Sequence, residues 1–205
     1  MDHPNIVHVV ELLEDSNKYY FVLELMKSGN LMEVLKQSQE NNWKLNNKDY
    51  ATMTKQIVRA LNYMHKKNVI HRDLKLENVM VDIGSNEQGK PELILKLTDF
   101  GFSKVLETNK KETNKLGTTL YMAPELFKGV EYDHKVDTWA LGVMVYMMLS
   151  GKYTFTGKTR AAIISKISWS EPDYSVFDQY RLKAKIKTFI KKCLDKNPET
   201  RASTE

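Results

Sequence analysis

From Trp139 to Leu149 the chain is apolar at every position except Gly142. A bilayer-spanning helix needs about 20 such residues, so this run is core rather than a membrane span. Trp139 and the Met144, Met147, Met148 cluster are then packing side chains, not a cofactor box. From Ala123 onward the pattern is mostly helical. The front of the chain behaves differently. Val7–Leu13 and Tyr19–Leu25 are β-type runs separated by the polar stretch Glu14–Lys18, which predicts a hairpin. Leu31, Val34 and Leu35 predict a short helix. Tyr50, Met53, Ile57, Leu61 and Met64 follow a 3.6-residue period, which predicts a long amphipathic helix over Asn47–Lys66. Val79–Val81 and Leu93–Leu97 are two more short β-type runs. Strands first and helices later give an α+β or mainly helical domain.

Composition narrows the class. Hydrophobic residues are 41% and charged residues 28% of 205, ordinary values for a folded chain. A single Cys excludes a disulfide framework and points to a reducing compartment, so a cytoplasmic location is expected, with the nucleus also open. The net charge of +5 suits a phosphate-bearing ligand but does not call for nucleic acid. The basic stretch Arg181–Lys192 carries Leu182, Ile186, Phe189, Ile190 and Cys193 at helical spacing, the pattern of a solvated helix face. The N-terminal residues have neither a basic n-region nor an apolar h-region.

One motif is a decoy. Gly84-Ser-Asn-Glu-Gln-Gly89-Lys90 matches the first seven positions of a phosphate-binding P-loop. Pro91 stands where a Mg²⁺-binding Ser or Thr belongs, and a β-type run follows where a helix N-terminus is needed. The segment is better explained as a hairpin connection.

Two other segments carry chemistry. His71-Arg72-Asp73-Leu74-Lys75-Leu76-Glu77-Asn78 holds a carboxylate, a lysine and a carboxamide close together, and Asp99-Phe100-Gly101 adds a second carboxylate. An Asp and an Asn from separate loops can supply oxygen ligands to Mg²⁺, with phosphate oxygens completing the shell. Another Asp can orient a hydroxyl nucleophile, and a Lys can neutralise charge on a moving phosphoryl group.

These segments, followed by Ala123-Pro124-Glu125, resemble the ordered signature set of eukaryotic protein kinases. Gly117–Met122 and Lys75 resemble the serine/threonine branch. His3–Val7, Ile94–Asp99 and Phe189–Leu194 are most similar to the calcium/calmodulin-dependent group. The resemblance implies a mostly helical large lobe over residues 26–205 and a small-lobe remnant over residues 1–25. It implies transfer of the γ-phosphoryl group of ATP to Ser/Thr hydroxyls of protein substrates, with Mg²⁺. By that resemblance Asp73 is the catalytic carboxylate, Lys75 contacts the transferring phosphate, and Thr118 hydrogen-bonds near both. Asn78 and Asp99 hold the metal. Glu24, Leu25 and Met26 form the hinge that meets adenine, and Met80 packs under the ring. Val9, His71 and Phe100 resemble a stacked apolar spine, Asp137 a brace for the catalytic loop, and Glu125 with Arg201 a tie to the late helices. Arg72 is placed to pair with a phosphate on the 102–116 activation loop, deposited by an upstream kinase at Thr108 or Thr113, with Thr113 preferred. Asn30 and Met147 stand where basic-directed relatives carry Glu, so a strongly Arg-directed motif is not expected.

The sequence also departs from the family pattern. It contains no Gly-x-Gly, and only Met1–Tyr20 precedes the hinge strand. The phosphate-covering loop, its strand Lys and the helix Glu have no counterparts in these 205 residues. The expectation is a kinase domain truncated at its N-terminus, and slightly at its C-terminus, with little activity of its own. The alternative is an inactive kinase-like binding module.

Overall fold

The computed structural model describes the chain except residues 42–44, 86–88, 90, 107–111, 114–115, 179–182 and 205. The described chain groups into two compact units, Met1–Tyr63 with Leu76–Asp99, and Met64–Lys75 with Phe100–Glu205.

In the first unit, β1 (Val9–Glu14) and β2 (Tyr19–Leu23) form the antiparallel hairpin that the two β-type runs predict. Every residue of both strands is exposed, Val9 of the expected apolar spine included. Helix α1 (Leu31–Glu40) opens on a capping box: Asn30 Oδ1 accepts from Glu33 N at 3.0 Å, and the Glu33 carboxylate accepts from Asn30 N at 3.1 Å. Asn30 therefore has a structural task at the position where a basic-directing Glu was absent. Helix α2 (Asn47–Lys66) has the bounds its period predicts, with Met53, Ile57, Ala60, Leu61 and Met64 buried.

Strands β4 (Val79–Ser85) and β5 (Pro91–Leu97) pair in register from Val79↔Leu97 to Ser85↔Pro91. Gly84 and Ser85 of the P-loop-like segment end β4, and Pro91, where a helix N-terminus was needed, opens β5 instead; residues 86–88 and 90 lie outside the described residues. Asn5 binds this hairpin to α2: its side-chain amide donates to Gln56 Oε1 and to the Leu95 carbonyl, both at 2.8 Å. Gln56 in turn donates to the Leu93 carbonyl at 2.8 Å. Ser28 and Gly29 run alongside β4, exchanging hydrogen bonds of 3.2 and 2.9 Å with Val81.

The second unit is built on α4 (Lys135–Ser150). Its residues from Val136 to Leu149 are all buried, as expected of a helix apolar on every side. Helix α6 (Lys183–Cys193) packs directly on it, as do the short 3-10 turns at Thr119–Tyr121 and Tyr174–Phe177, while α3 (Pro124–Lys128) packs against α5 (Arg160–Trp169). Gly142 permits the closest approach: a Cβ there would lie 2.6 Å from Cys193 Cβ and 2.9 Å from Leu194 Cδ2. On α6, Ile190 and Cys193 are buried while most of the lysines face solvent; Arg181 and Leu182 lie outside the described residues. Burial pushes the Cys193 thiol up to about 12, so it is a packing residue and not a nucleophile. A small ladder joins β3 (Val69–Ile70) to β6 (Lys104–Val105). Among the described residues no helix is long and apolar enough to cross a membrane.

Candidate active site

The loop after β3 turns sharply because Arg72 adopts a left-handed backbone, φ 68°. A bulky residue rarely does so, and the surroundings must hold it there. Asp137, buried in the first turn of α4, does the holding. Its Oδ2 accepts from His71 N at 2.9 Å and its Oδ1 from Arg72 N at 3.0 Å. His65, from the last turn of α2, reaches the same carboxylate with Nε2 at 2.9 Å and Thr204 with Nδ1 at 2.8 Å. Desolvation, the largest influence, pushes the Asp137 carboxyl up, but the hydrogen bonds and charge of His65 and His71 prevail and hold it below its ordinary value.

Asp73 follows directly and is buried. Its Oδ1 accepts from Thr118 N at 3.1 Å and from Thr118 Oγ1 at 2.9 Å. Its Oδ2 accepts from Lys75 Nζ at 2.6 Å, and Lys75 also reaches Thr118 Oγ1 at 3.3 Å. The structure therefore brings three sequence-selected residues, Asp73, Lys75 and Thr118, onto one carboxylate. A base oriented on both oxygens beside a fixed cation can steer a hydroxyl and neutralise a phosphoryl group. The His71 and Phe100 rings pack with centroids 5.2 Å apart, a packing role for both.

The other selected residues belong to the first unit. Asn78 immediately precedes β4, and its carbonyl accepts from Thr98 N at 3.0 Å. This pairing sets Asn78 opposite the residue before Asp99, at one end of the β4–β5 hairpin. The Asn78 side chain is buried; Asp99 is exposed with φ 61°. An amide oxygen and a carboxylate at one hairpin end are a hard-oxygen donor pair that fits Mg²⁺. At the hinge, Lys96 of β5 donates to both Glu24 oxygens, at 2.6 and 2.7 Å. Desolvation raises the Glu24 carboxyl, but the hydrogen bonds from Lys96 and His8 outweigh it and leave it below its usual value. Met26 is buried, Leu25 is 77% exposed, and Met80 of β4 bridges to Asn30 beyond the hinge.

The protein kinase domain family matches residues 1–205. The chain belongs to the protein kinase family. This kinase chain is 36% identical to Calcium-dependent protein kinase 4 of Plasmodium berghei over 95% of its own length and 35% of that protein's. It is 35% identical to a probable myosin light chain kinase of Dictyostelium discoideum, over 98% of this chain and 49% of that one. It is 37% identical to the SNF-related serine/threonine-protein kinase of Rattus norvegicus, over 100% of this chain and 26% of that protein. The kinase chain spans about a third of the length of the calcium-dependent relative. The serine/threonine branch and its calcium-dependent type are thus the right company for it.

The regulatory expectation meets a different arrangement. Arg72 Nη1 lies 3.4 Å from Glu112 Oε2, and Lys104 pairs with the same oxygen. Thr113 is exposed, and its backbone N–H donates to Glu112 Oε1 at 2.7 Å. Thr108 lies outside the described residues. Sequence reasoning passed over Glu112, whose one available signal was an acid directly after Lys110-Lys111.

Proposed function

We propose that the protein carrying this chain is an ATP-dependent protein serine/threonine kinase. The single observation that carries this is the Asp73 carboxylate, held on one oxygen by Thr118 and on the other by Lys75. Asp73 accepts the hydrogen bond of a substrate Ser or Thr hydroxyl and aligns its oxygen for attack. Lys75 offsets charge on the phosphoryl group as it moves, and Thr118 keeps the carboxylate from turning. Asn78 and Asp99 are the residues that would hold Mg²⁺, which supplies charge neutralisation on the nucleotide phosphates. The Glu24–Met26 backbone and the Met80 side chain would receive adenine. Proteins are the substrates, and the cytoplasm is the expected location.

The 205 residues alone transfer phosphate weakly, on this proposal, because they contain no Gly-x-Gly loop to cover the phosphates. The test is phosphotransfer from labelled ATP to a Ser/Thr peptide by the full-length protein. Asp73→Asn should lower kcat by about 10²–10⁴-fold with folding unchanged. Nucleotide-independent binding of proteins with no phosphotransfer would identify an inactive binding module instead.

A further inference from the structure

We infer that Thr204 is a positioning residue for phosphotransfer: its hydroxyl fixes the His65 ring that braces Asp137, and so the loop that carries Asp73. The inference rests on the kinase reading of Asp73.

His65 and Thr204 stand 139 positions apart, and both side chains are buried. Asp137, held below its ordinary value, is ionised near neutral pH and can only accept hydrogen bonds. It lies 2.9 Å from His65 Nε2, so the proton of a neutral ring belongs on that nitrogen. Nδ1 is then bare and needs a donor, which Thr204 Oγ1 supplies at 2.8 Å. With the proton on Nδ1 instead, the bare Nε2 would face the carboxylate as a second acceptor and repel it. The threonine hydroxyl thus settles both the tautomer and the orientation of the ring.

Thr204 is itself held in place. Just before it, Arg201 N donates to the Asn197 carbonyl at 3.0 Å and Ala202 N to the Lys192 carbonyl at 3.1 Å. The His134 ring lies beside His65, with centroids 5.0 Å apart. Burial, and then the charge of His65, hold the His134 imidazole below its ordinary value, so near neutral pH it adds no cation next to Asp137. The Lys135 ammonium is occupied by the Pro198 and Glu199 carbonyls.

The effect reaches the site through the backbone. Asp137 accepts from the N–H groups of His71 and Arg72, and Arg72 is the left-handed residue immediately before Asp73. A His65 ring free to turn would leave Asp137 short of a donor and loosen that turn. Displacing a catalytic group by a fraction of an ångström is enough to slow transfer. All of these residues belong to the second unit.

The experiment uses the full-length protein with MgATP and a Ser/Thr peptide. Thr204→Val, which removes the hydroxyl at nearly constant shape, should lower kcat on the order of tenfold with KM for ATP little changed. Thr204→Ser, which keeps the hydroxyl, should recover most of the loss. Nitrogen-15 spectra of the histidine rings are recorded at pH about 8.5, well above the ordinary histidine value. The wild-type His65 signal, identified by its loss in His65→Gln, should show Nε2 protonated and Nδ1 bare. This spectrum carries the test if Thr204→Val melts at the assay temperature. A proton on Nδ1 would overturn the inference. So would an unchanged kcat in Thr204→Val, or an equal loss in Thr204→Val and Thr204→Ser. No phosphotransfer by the wild type would instead remove the kinase reading itself, while the spectrum would still decide the His65–Thr204 arrangement.

Discussion

Arg201 grips Glu125 with both arms of its guanidinium, Nη1 at 2.6 Å from Oε1 and Nη2 at 2.9 Å from Oε2. Two further donors are used as well: Nη1 reaches the Lys135 carbonyl at 3.0 Å and Nε the Asp195 carbonyl at 2.9 Å. The guanidinium also lies 5.2 Å from the Trp139 ring centroid. Arg201→Met leaves a buried carboxylate uncompensated and should destabilise the chain by about 3–5 kcal/mol. Arg201→Met combined with Glu125→Leu should cost less than Arg201→Met alone. Urea unfolding of the wild type and the two variants measures both effects.

Asp137 accepts backbone hydrogen bonds from His71 and Arg72, so its loss should be felt at Asp73 without contact to substrate. Asp137→Asn should lower kcat more than it raises KM. Its folded carboxyl titrates below the ordinary 3.8. The native state therefore binds fewer protons than the unfolded one near that pH. The contribution is complete above pH 3.8 and is lost as pH falls through the lower folded value. Acid unfolding of Asp137→Asn should accordingly show a shallower slope below that pH than the wild type.

Gly117 has φ +109°, and a Cβ there would stand 2.6 Å from the Arg72 carbonyl oxygen. Gly117→Ala must shift either the catalytic loop or the segment carrying Thr118. A fall in kcat of about 10²-fold is the expected cost of displacing the Thr118–Asp73 contact by an ångström. A crystal structure of the variant would show a lengthened Thr118–Asp73 distance.

Lys196 donates to the Ile167 carbonyl at 2.6 Å, with Nζ 4.7 Å from the Trp139 centroid and 4.4 Å from that of Phe155. Burial pushes its ammonium down to about 8 from 10.5. Between those values the unfolded chain binds more protons than the folded one, so stability should rise with pH across that window. Lys196→Met should flatten the rise, read as melting temperature between pH 7.5 and 10.5.

How much was legible depended on periodicity. Helix α2 was placed from the spacing of Tyr50 to Met64 because one of its faces is buried and the other is not. Helix α4 offered only an unbroken apolar run, since burial on all sides erases the alternation that marks a face. Helix α5 was not singled out: only Ile167 of its residues is buried, so no stripe forms. At the site, residue types and order singled out Asp73, Lys75, Asn78 and Asp99 as candidates, and the family resemblance added Thr118. The Arg72–Glu112 pair was not legible, because it joins positions 40 apart through an irregular loop with no pattern to follow. Val9 is a related case: strand character predicts pairing, and among the described strands β1 pairs only with β2 while its side chains are exposed.

Helix α4 has no face turned to water, and this governs how the second unit comes apart. An amphipathic helix can fray or detach while its polar side remains solvated. A helix enclosed on every side exposes apolar surface whichever neighbour leaves. The amide protons of Val143 to Met147 can then reach solvent only through openings close to full unfolding of that unit. They set the slowest clock in the molecule, against which the opening of every surrounding segment can be timed.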